Sequence, residues 1–241
     1  MKSYTHIIKS STRRIIQMLP ILTIVLFFQS CDNNSTEPLN VYDYFPLEIG
    51  RYQIYDVKEE TYSAGVKAPV IRTYQEKDEI ERMSTNSQGI PTYIFSRSTR
   101  VLSTDYWQKI KEFSVEKYPD RLLTNIDNQT FLSLVFPIDE KVTWNGNTYN
   151  KLDAENYRYQ NINKPQQKGT INFDNSLTVL ERKDTSIINR YIGIKQYGLG
   201  AGLISDEQTA YEYCQNDACI GSETIESGTH KTRIIIEFGT K

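Results

Sequence analysis

The stretch Arg51-Tyr52-Gln53-Ile54-Tyr55-Asp56-Val57 decides the fold class of this chain. It is a short run rich in aromatic and β-branched residues, which fit the pleated, half-buried surface of a sheet. Turn-prone residues separate it from similar runs further along the chain, at residues 91–97, 131–136, 176–180, 187–196, 209–214 and 232–238. The sequence therefore predicts a mainly β protein: an antiparallel sheet, arranged as a curved half-barrel or a sandwich, with at most one or two short helices.

Two segments are compatible with either a helix or a strand. Residues 75–83 are strongly charged and could form a short helix. Residues 106–117 carry apolar side chains at helical spacing, but Phe113 and Val115 also alternate as they would in a strand. We favour a strand for this second segment, because Pro119-Asp120 ends it in the manner of a turn.

Two glycine motifs predict local features of the backbone. Asn145-Gly146 lies between Trp144 and Thr148, and this dipeptide between strand-like residues is a strong signal for a β-hairpin turn. The segment Gly198-Leu199-Gly200-Ala201-Gly202 lacks the spacing of a phosphate-binding loop. We expect its glycines to relieve crowding at a bulge or in a sharply bent strand.

The first thirty residues have the composition of a secretory signal peptide. Residues 1–14 carry four basic side chains and no acid, and residues 15–28 are predominantly apolar. This apolar run is shorter than a usual membrane-spanning helix, and Pro20 interrupts it. The pattern predicts a cleaved signal peptide over residues 1–30. Residues 31–43 are polar and read as a flexible tether, which leaves residues 44–241 as a single β-rich domain.

The end of the signal segment, Phe28-Gln29-Ser30-Cys31, resembles a bacterial lipoprotein signal. In that family the signal peptidase cuts before the cysteine, whose sulfur carries diacylglycerol and whose amine receives a further acyl chain such as palmitate. The resemblance implies that Cys31 is the mature N-terminus and the site of lipidation, so that acyl chains hold the protein at the membrane. Plain secretion with a spare cysteine and an uncleaved anchor are the alternatives.

The charge balance argues against a partner that binds by bulk electrostatics. The chain of 241 residues carries 28 Lys and Arg against 30 Asp and Glu. Removing residues 1–30 takes away four basic side chains and no acidic one, so the mature chain would carry 24 basic and 30 acidic residues, a net charge of −6. A nucleic-acid partner is not expected, because such proteins normally have a basic surplus. The membrane is expected to be bound through the N-terminal lipid.

Cys214 and Cys219 are the only cysteines after Cys31. An exported protein meets an oxidising compartment, and the turn-prone Asn216-Asp217 between the two can bring them together, so we expect a structural disulfide. A redox pair is the sharper alternative, although the spacing is not that of a Cys-x-x-Cys motif. Zinc is not expected, because the only histidine beyond residue 30 is His230, which we place in an exposed turn before the last strand.

Residues 44–50 and 135–141 share a phrase in which Phe-Pro-aliphatic is followed by an acidic residue. Such a phrase is typical of a chain that enters a strand, since proline fixes φ and removes a hydrogen-bond donor at the strand's edge. Two related halves, residues 44–134 and 135–241, are one interpretation of the repeat. The other is a single strand-entry solution that is used twice.

Four phrases resemble a family of small outer-membrane lipoproteins from Bacteroidota-type bacteria: YFPLEIGRYQIYDV (44–57), LVFPIDEKVTWNG (134–146), YIGIKQYGLGAGLI (191–204) and IIIEFG (234–239). The likeness touches both ends and the middle of the mature chain. It implies a β-rich fold and a lipid-anchored location at the outer membrane, on its periplasmic face or at the cell surface. Most members have no known function, so the resemblance implies no catalytic residue.

No catalytic, cofactor-binding or metal-binding constellation is recognisable in the sequence, which lacks a G-x-S-x-G elbow and an H-E-x-x-H motif. We therefore expect no enzyme but a binding or accessory component of the envelope, with an envelope protein or a glycan as partner. One alternative is a carrier of an amphiphile, which would require a continuous apolar cavity of roughly several hundred Å³. Another is an envelope glycan hydrolase, which would require two carboxyl groups about 5–10 Å apart in a cleft.

Overall fold

Residues 40–241 are the part of the chain that the computed structural model describes. The predicted signal peptide, Cys31 and residues 32–39 of the predicted tether lie outside this part. Within it, a single 3-10 turn, Val41–Tyr44, precedes the strands, and no helix is long and apolar enough to cross a membrane. The strands are β1 (Arg51–Tyr62), β2 (Val70–Thr85), β3 (Pro91–Arg100), β4 (Gln108–Lys117), β5 (Arg121–Ile126), β6 (Gln129–Val135), β7 (Thr143–Asn145), β8 (Asn156–Lys168), β9 (Ile171–Thr185), β10 (Asn189–Gly198), β11 (Gly202–Tyr213) and β12 (Ile225–Thr240).

The strands form one antiparallel sheet in the order β6-β5-β4-β3-β2-β1-β12-β11-β10-β9-β8-β7. Every neighbouring pair is consecutive in sequence except β1 and β12, the first and last strands, which pair at the centre of the sheet. Their register runs from Arg51 opposite Thr240 to Tyr62 opposite Gly228. The prediction of a mainly β, antiparallel fold with at most one or two short helices is confirmed.

The two edge strands, β6 and β7, approach each other, so the sheet is nearly closed and barrel-like. The amide of Leu132 in β6 donates a hydrogen bond of 2.9 Å to the carbonyl oxygen of Gly146, just after β7. Nε1 of Trp144 in β7 donates to the carbonyl oxygen of Leu132 over 2.8 Å. These bonds satisfy edge groups that an open sheet would leave unpaired. The curvature thus goes further than that of the predicted half-barrel.

The sheet consists of two successive six-stranded meanders, β1–β6 and β7–β12. The repeated Phe-Pro phrase lies at equivalent places in both: Phe45-Pro46 precedes β1, and Phe136-Pro137 precedes β7. We call the end of the sheet where β1 begins the N-terminal rim, and the end where β1 finishes the opposite rim. Because alternate strands run in opposite directions, both phrases lie at the N-terminal rim. That the two halves arose by duplication stays a prediction.

Residues 40–44 close the N-terminal rim. The side chain of Asn40 caps the 3-10 turn by accepting a hydrogen bond from the amide of Tyr42. The hydroxyl of Tyr42 donates to the carbonyl oxygen of Pro119 over 2.7 Å, and Tyr44 is buried in the main apolar cluster with its hydroxyl bonded to Asn163. Residues 40–43, which the sequence assigned to the tether, are therefore in contact with the domain.

Both ambiguous segments are strands. Residues 75–83 lie within β2, where Glu76, Asp78 and Ile80 are buried at intervals of two residues. This spacing is that of one face of a strand, so the tertiary environment overrides the helical tendency of the charged residues. The strand favoured for the second segment is confirmed as β4.

The prediction of a hairpin turn at Asn145-Gly146 is wrong. Residues 146–155 form a ten-residue connection between β7 and β8. Oδ1 of Asn145 accepts hydrogen bonds of 3.0 Å from the amides of Asn147 and Glu155, at both ends of this connection. Gly146 is needed for close packing: a Cβ built there would lie 2.2 Å from Cζ of Tyr157. A glycine is therefore required at this position, but the reason is that the ring of Tyr157 packs against the backbone there, not that the chain makes a tight turn.

The expectation for the glycine-rich segment at residues 198–202 is confirmed in part. A Cβ built at Gly198 would lie 2.7 Å from Cδ1 of Phe173, so this glycine does relieve crowding, but the segment is not a bent strand. It is the turn between β10 and β11 at the N-terminal rim, where Gly200 and Gly202 have φ of +76° and +88°. The amide of Gly200 donates to the carbonyl oxygen of Asp43 over 2.8 Å. The glycines therefore supply left-handed backbone conformations that let the turn hold the N-terminal segment in place.

We expect Gly146→Ala to destabilise the protein by about 2–3 kcal/mol, because the new methyl group overlaps the ring of Tyr157 and forces a local shift. Gly65→Ala is the matched control. Gly65 has φ of +78° and open space around it, so only the cost of a left-handed alanine of about 1 kcal/mol remains. Urea unfolding followed by tyrosine fluorescence measures both. Equal costs for the two variants would contradict the packing role of Gly146.

Candidate functional site

A cavity of about 370 Å³ lies inside the curved sheet and is partly open to solvent. Every strand except β7 contributes a side chain to it, so the lining depends on the whole sheet rather than on one loop. The residues that line it are Phe45, Gln53, Tyr55, Asp78, Phe95, Arg97, Phe113, Thr124, Ile126, Phe131, Ser133, Tyr157, Glu181, Lys195, Tyr197, Leu203, Asp206, Gln208 and Arg233.

Asp78 is the centre of an ion network in this cavity. It accepts two parallel hydrogen bonds of 2.7 Å from Nε and Nη2 of Arg97, and a third of 2.7 Å from Nη2 of Arg233. Bidentate pairing of this kind fixes both planes and is stronger than a single contact. The three side chains come from β2, β3 and β12, so this one carboxylate joins the two meanders.

Glu76 extends the network along the same face of β2. Its Oε2 lies 2.8 Å from Nε of Arg233, and its Oε1 accepts a hydrogen bond of 2.9 Å from Nζ of Lys231. The side chains of Glu76 and Arg233 are only 3% and 4% exposed. Charges at this depth are tolerated only when they are paired, and each of these has a partner of opposite sign.

A second ionic group faces the cavity from β9, β10 and β11. Nζ of Lys195 contacts Oε1 of Glu181. The side-chain amide of Gln208 donates to Glu181 over 3.0 Å and to Asp206 over 2.9 Å. Oδ2 of Asp206 lies 3.8 Å from Nη1 of Arg233, which places this group beside the network of Asp78.

The pairing keeps these groups charged. Burial alone would raise the pKa of Asp78, but the guanidinium groups of Arg97 and Arg233 outweigh it and lower this pKa to about 2. Burial of Asp206 is likewise outweighed by Lys195 and Arg233, so its pKa is lowered. Burial would lower the pKa of Lys195, but Glu181 raises it. Proton release or uptake near neutral pH is therefore not a property of Asp78, Asp206 or Lys195.

Strand alternation explains how the sequence builds this charged layer. Six strands each contribute one charged residue to the lining. On each of these strands, the residue two positions closer to the N-terminal rim is buried and is either apolar or aromatic. Side chains two apart on a regular strand share a face. Glu181 and Ile204 are the extra residues of β-bulges, so there the bulge and not strict alternation sets the direction of the side chain. The charges form one layer and the apolar residues another. The pairs are Asp78 with Ile80, Arg97 with Phe95, Glu181 with Val179, Lys195 with Tyr197, Asp206 with Ile204, and Arg233 with Ile235.

Aromatic side chains form the other part of the lining, on the side of the N-terminal rim. The rings of Phe95 and Phe113 are stacked, with centroids 4.7 Å apart and planes 18° apart. Phe45 packs against Phe95 and Tyr197, at centroid distances of 6.4 and 6.0 Å. The cavity thus combines an aromatic side with a charged side, which is the usual composition of a small-molecule site.

The predicted site residues lie elsewhere. Cys31 is outside the described residues. Cys214 and Cys219 form a disulfide with a Cα–Cα distance of 5.8 Å, in the connection between β11 and β12 at the opposite rim. His230 lies within β12, not in a turn before it, because β12 already begins at Ile225. Its ring is between Glu60 and Glu207, 3.4 Å from each carboxylate, and does not line the cavity.

Sequence reasoning named none of the charged residues in the cavity. A charged residue inside an otherwise apolar strand is the signal that could have found them: Arg233 directly precedes Ile234-Ile235-Ile236, and Arg97 follows Ile94-Phe95 by two positions. The signal is weak in one sequence, since the same pattern places a charge on the outer face of a sheet if the register differs by one residue.

We expect Asp78→Asn to destabilise the protein by about 3–5 kcal/mol at pH 7, because it leaves two buried guanidinium groups without their common partner. Asp120→Asn, at an exposed pair with Arg121, should change stability by less than about 1 kcal/mol. Because the pKa of Asp78 is lowered on folding, its stabilisation is present above about pH 4 and lost as the pH falls toward 2. Urea unfolding should therefore show a smaller acid-induced loss in Asp78→Asn than in the wild type. Equal stability of the two variants at pH 7 would contradict this network.

Comparisons with known proteins add a structural likeness. No protein-family model matches the chain, and no curated protein matches it. Among solved structures, the chain is similar to one described as "a putative lipoprotein from Parabacteroides distasonis ATCC 8503". The TM-score is 0.40 and the sequence identity is 10%, over 81% of this chain and 98% of that one.

Proposed function

We propose that this chain is a lipid-anchored protein of the cell envelope that binds a small ligand inside its sheet without transforming it. The signal-like segment that ends at Cys31 supports the anchor, and the sequence resemblance favours the outer membrane. The observation that carries the binding role is the cavity of about 370 Å³ with its paired charges and aromatic side. Its volume lies in the lower part of the range of about 300–1,000 Å³ that is typical of small-molecule pockets.

A neighbouring cavity offers a route for the ligand. It has a volume of about 430 Å³ and shares Phe131, Tyr157, Glu181 and Gln208 with the interior cavity. It is also lined by Asn147, Leu152 and Asp153 from the connection between β7 and β8, at the opposite rim. The N-terminal rim is closed by residues 40–44, so we place the entrance beside this connection.

The cavity has the size that we set for an amphiphile carrier, but its lining fits that role poorly. Three carboxylates and three cationic side chains line it, and an acyl chain laid across them would exclude water from charged groups without offering hydrogen bonds. The continuous apolar surface that a carrier of acyl chains would need is interrupted by this layer. A ligand with polar groups of its own is favoured.

A glycan hydrolase is also less well supported than a binding protein. The lining contains carboxylates, but a general acid of a glycosidase needs a carboxyl group whose pKa is raised. The cations around Asp78 and Asp206 lower the pKa of both instead. Glu181 is held by Lys195 and Gln208. This arrangement favours fixed charges that recognise a ligand over groups that exchange protons with it.

We expect Cys31→Ser to abolish lipidation. Cells fed an alkyne analogue of palmitate should label the wild type, and the N-terminal peptide of the mature protein should begin at Cys31 with diacylglycerol attached. The double variant Cys214→Ser, Cys219→Ser is the matched control and should label like the wild type. Undiminished labelling of Cys31→Ser would contradict the proposed anchor.

We expect protein purified gently from its native membrane to carry a bound small molecule. Native mass spectrometry should detect this added mass on the wild type and lose it in Ser133→Trp, which fills the cavity from β6. Ser63→Trp, in the exposed turn after β1, is the matched control and should keep the mass. If Ser133→Trp does not fold by circular dichroism, Thr124→Phe on β5 replaces it. A bound mass that both cavity variants retain would place the ligand elsewhere.

A further inference from the structure

We infer that the interior cavity takes a net-uncharged, hydroxyl-bearing ring with one apolar face, which is the chemistry of a neutral saccharide of one or two rings. This inference rests on the proposed binding function and names the ligand class of the same cavity. It is carried by the charge balance of the lining, by unpartnered hydroxyl and guanidinium groups, and by the position of the aromatic side chains.

The charges in the lining cancel. Asp78, Glu181 and Asp206 stand against Arg97, Lys195 and Arg233, and each carboxylate contacts a cation or an amide donor. A ligand with a net charge would have to compete for one member of these pairs and leave the other buried without a partner, which is strongly unfavourable. An uncharged ligand leaves the pairs intact.

Two buried tyrosines present free hydroxyl groups to the cavity. Tyr197 is 2% exposed and Tyr157 is 6% exposed, and both line the cavity. Within residues 40–241, neither hydroxyl has a hydrogen-bond partner, in contrast to the hydroxyl of Tyr55, which donates to the carbonyl oxygen of Leu203. Burial raises the pKa of Tyr157 and Tyr197, so both hydroxyls stay protonated and can donate as well as accept.

The gap between Arg233 and Asp206 has the spacing for a bridging hydroxyl. Nη1 of Arg233 and Oδ2 of Asp206 are 3.8 Å apart, too far for a direct hydrogen bond. A group that lies to the side of this pair, about 2.8 Å from each atom, must accept from the guanidinium and donate to the carboxylate, and a hydroxyl does both. Arg97 binds Asp78 through Nε and Nη2, and its Nη1 makes no hydrogen bond within the described part of the chain.

The aromatic side chains give the ligand an apolar face. Phe45, Phe95 and Phe113 line the cavity together with Leu203, and Arg97 lies two positions from Phe95 on β3, toward the opposite rim. A ring with hydroxyl groups around its edge and C–H groups on one face can contact both parts at once. An acyl chain would meet only the first part, and a small ion only the second.

The size of the cavity limits the ligand. A volume of about 370 Å³ lies near the lower end of small-molecule pockets, so the site holds a short ligand or the end of a longer one rather than an extended polymer.

Isothermal titration calorimetry on the purified, lipidated protein tests the ligand class. The neutral probes are D-glucose, N-acetyl-D-glucosamine and cellobiose, and the charged counterparts are D-glucosamine and D-glucuronic acid. We expect at least one neutral probe to bind, and its charged counterpart to bind at least tenfold more weakly. Tyr197→Phe should weaken binding about three- to tenfold, the loss of one hydrogen bond. Tyr157→Phe provides a second variant of the same kind.

Tyr106→Phe is the matched control, because Tyr106 is 93% exposed and does not line the interior cavity. It should bind the probe like the wild type. Charged probes that bind as tightly as neutral ones, or a lipid or charged molecule released from the native protein, would overturn the ligand class and leave the binding function standing. If no probe binds and native mass spectrometry finds no bound mass, the proposed binding function itself fails.

Discussion

The contact of Asp78 with Arg97 and Arg233 is the interaction on which the interior of this protein depends. It joins β2 and β3 of the first meander to β12 of the second, across the central pairing of the first and last strands. Apolar residues of similar volume often stabilise a core as well as or better than buried ion pairs do. A charged layer in the middle of an otherwise apolar interior is therefore weak evidence for stability. The proposed binding function offers a reason for its presence.

The layer is possible because the sheet closes on itself. Eleven of the twelve strands contribute to one cavity lining, and the edges of β6 and β7 meet through backbone and indole hydrogen bonds. The N-terminal rim is filled by an apolar cluster and covered by Tyr44. The charges consequently lie between a packed base and an accessible side, where they are shielded from bulk water but within reach of a small molecule.

The fold class could be predicted from the runs of aromatic and β-branched residues, and the disulfide from two cysteines around a turn. The strand identity of residues 75–83 could not, because helix formers such as Glu76 and Lys77 occupy positions that only cross-strand pairing makes favourable. At Asn145-Gly146 the predicted hairpin turn does not form, and the glycine is required instead because the ring of Tyr157, distant in sequence, packs against its backbone. The charged layer escaped detection for a similar reason. Whether Arg97 or Lys195 points inward depends on register and closure, which a single sequence does not specify.

A crystal structure of protein isolated from its native membrane, at a resolution that distinguishes water from a sugar ring, would show directly what occupies the cavity. We expect ordered density for a ring beside Phe95 and Phe113, with hydroxyl groups at Tyr197 and bridging Arg233 and Asp206. A cavity that holds only water, or one in which Nη1 of Arg97 and Nη1 of Arg233 are bonded to other protein groups, would contradict the proposed site.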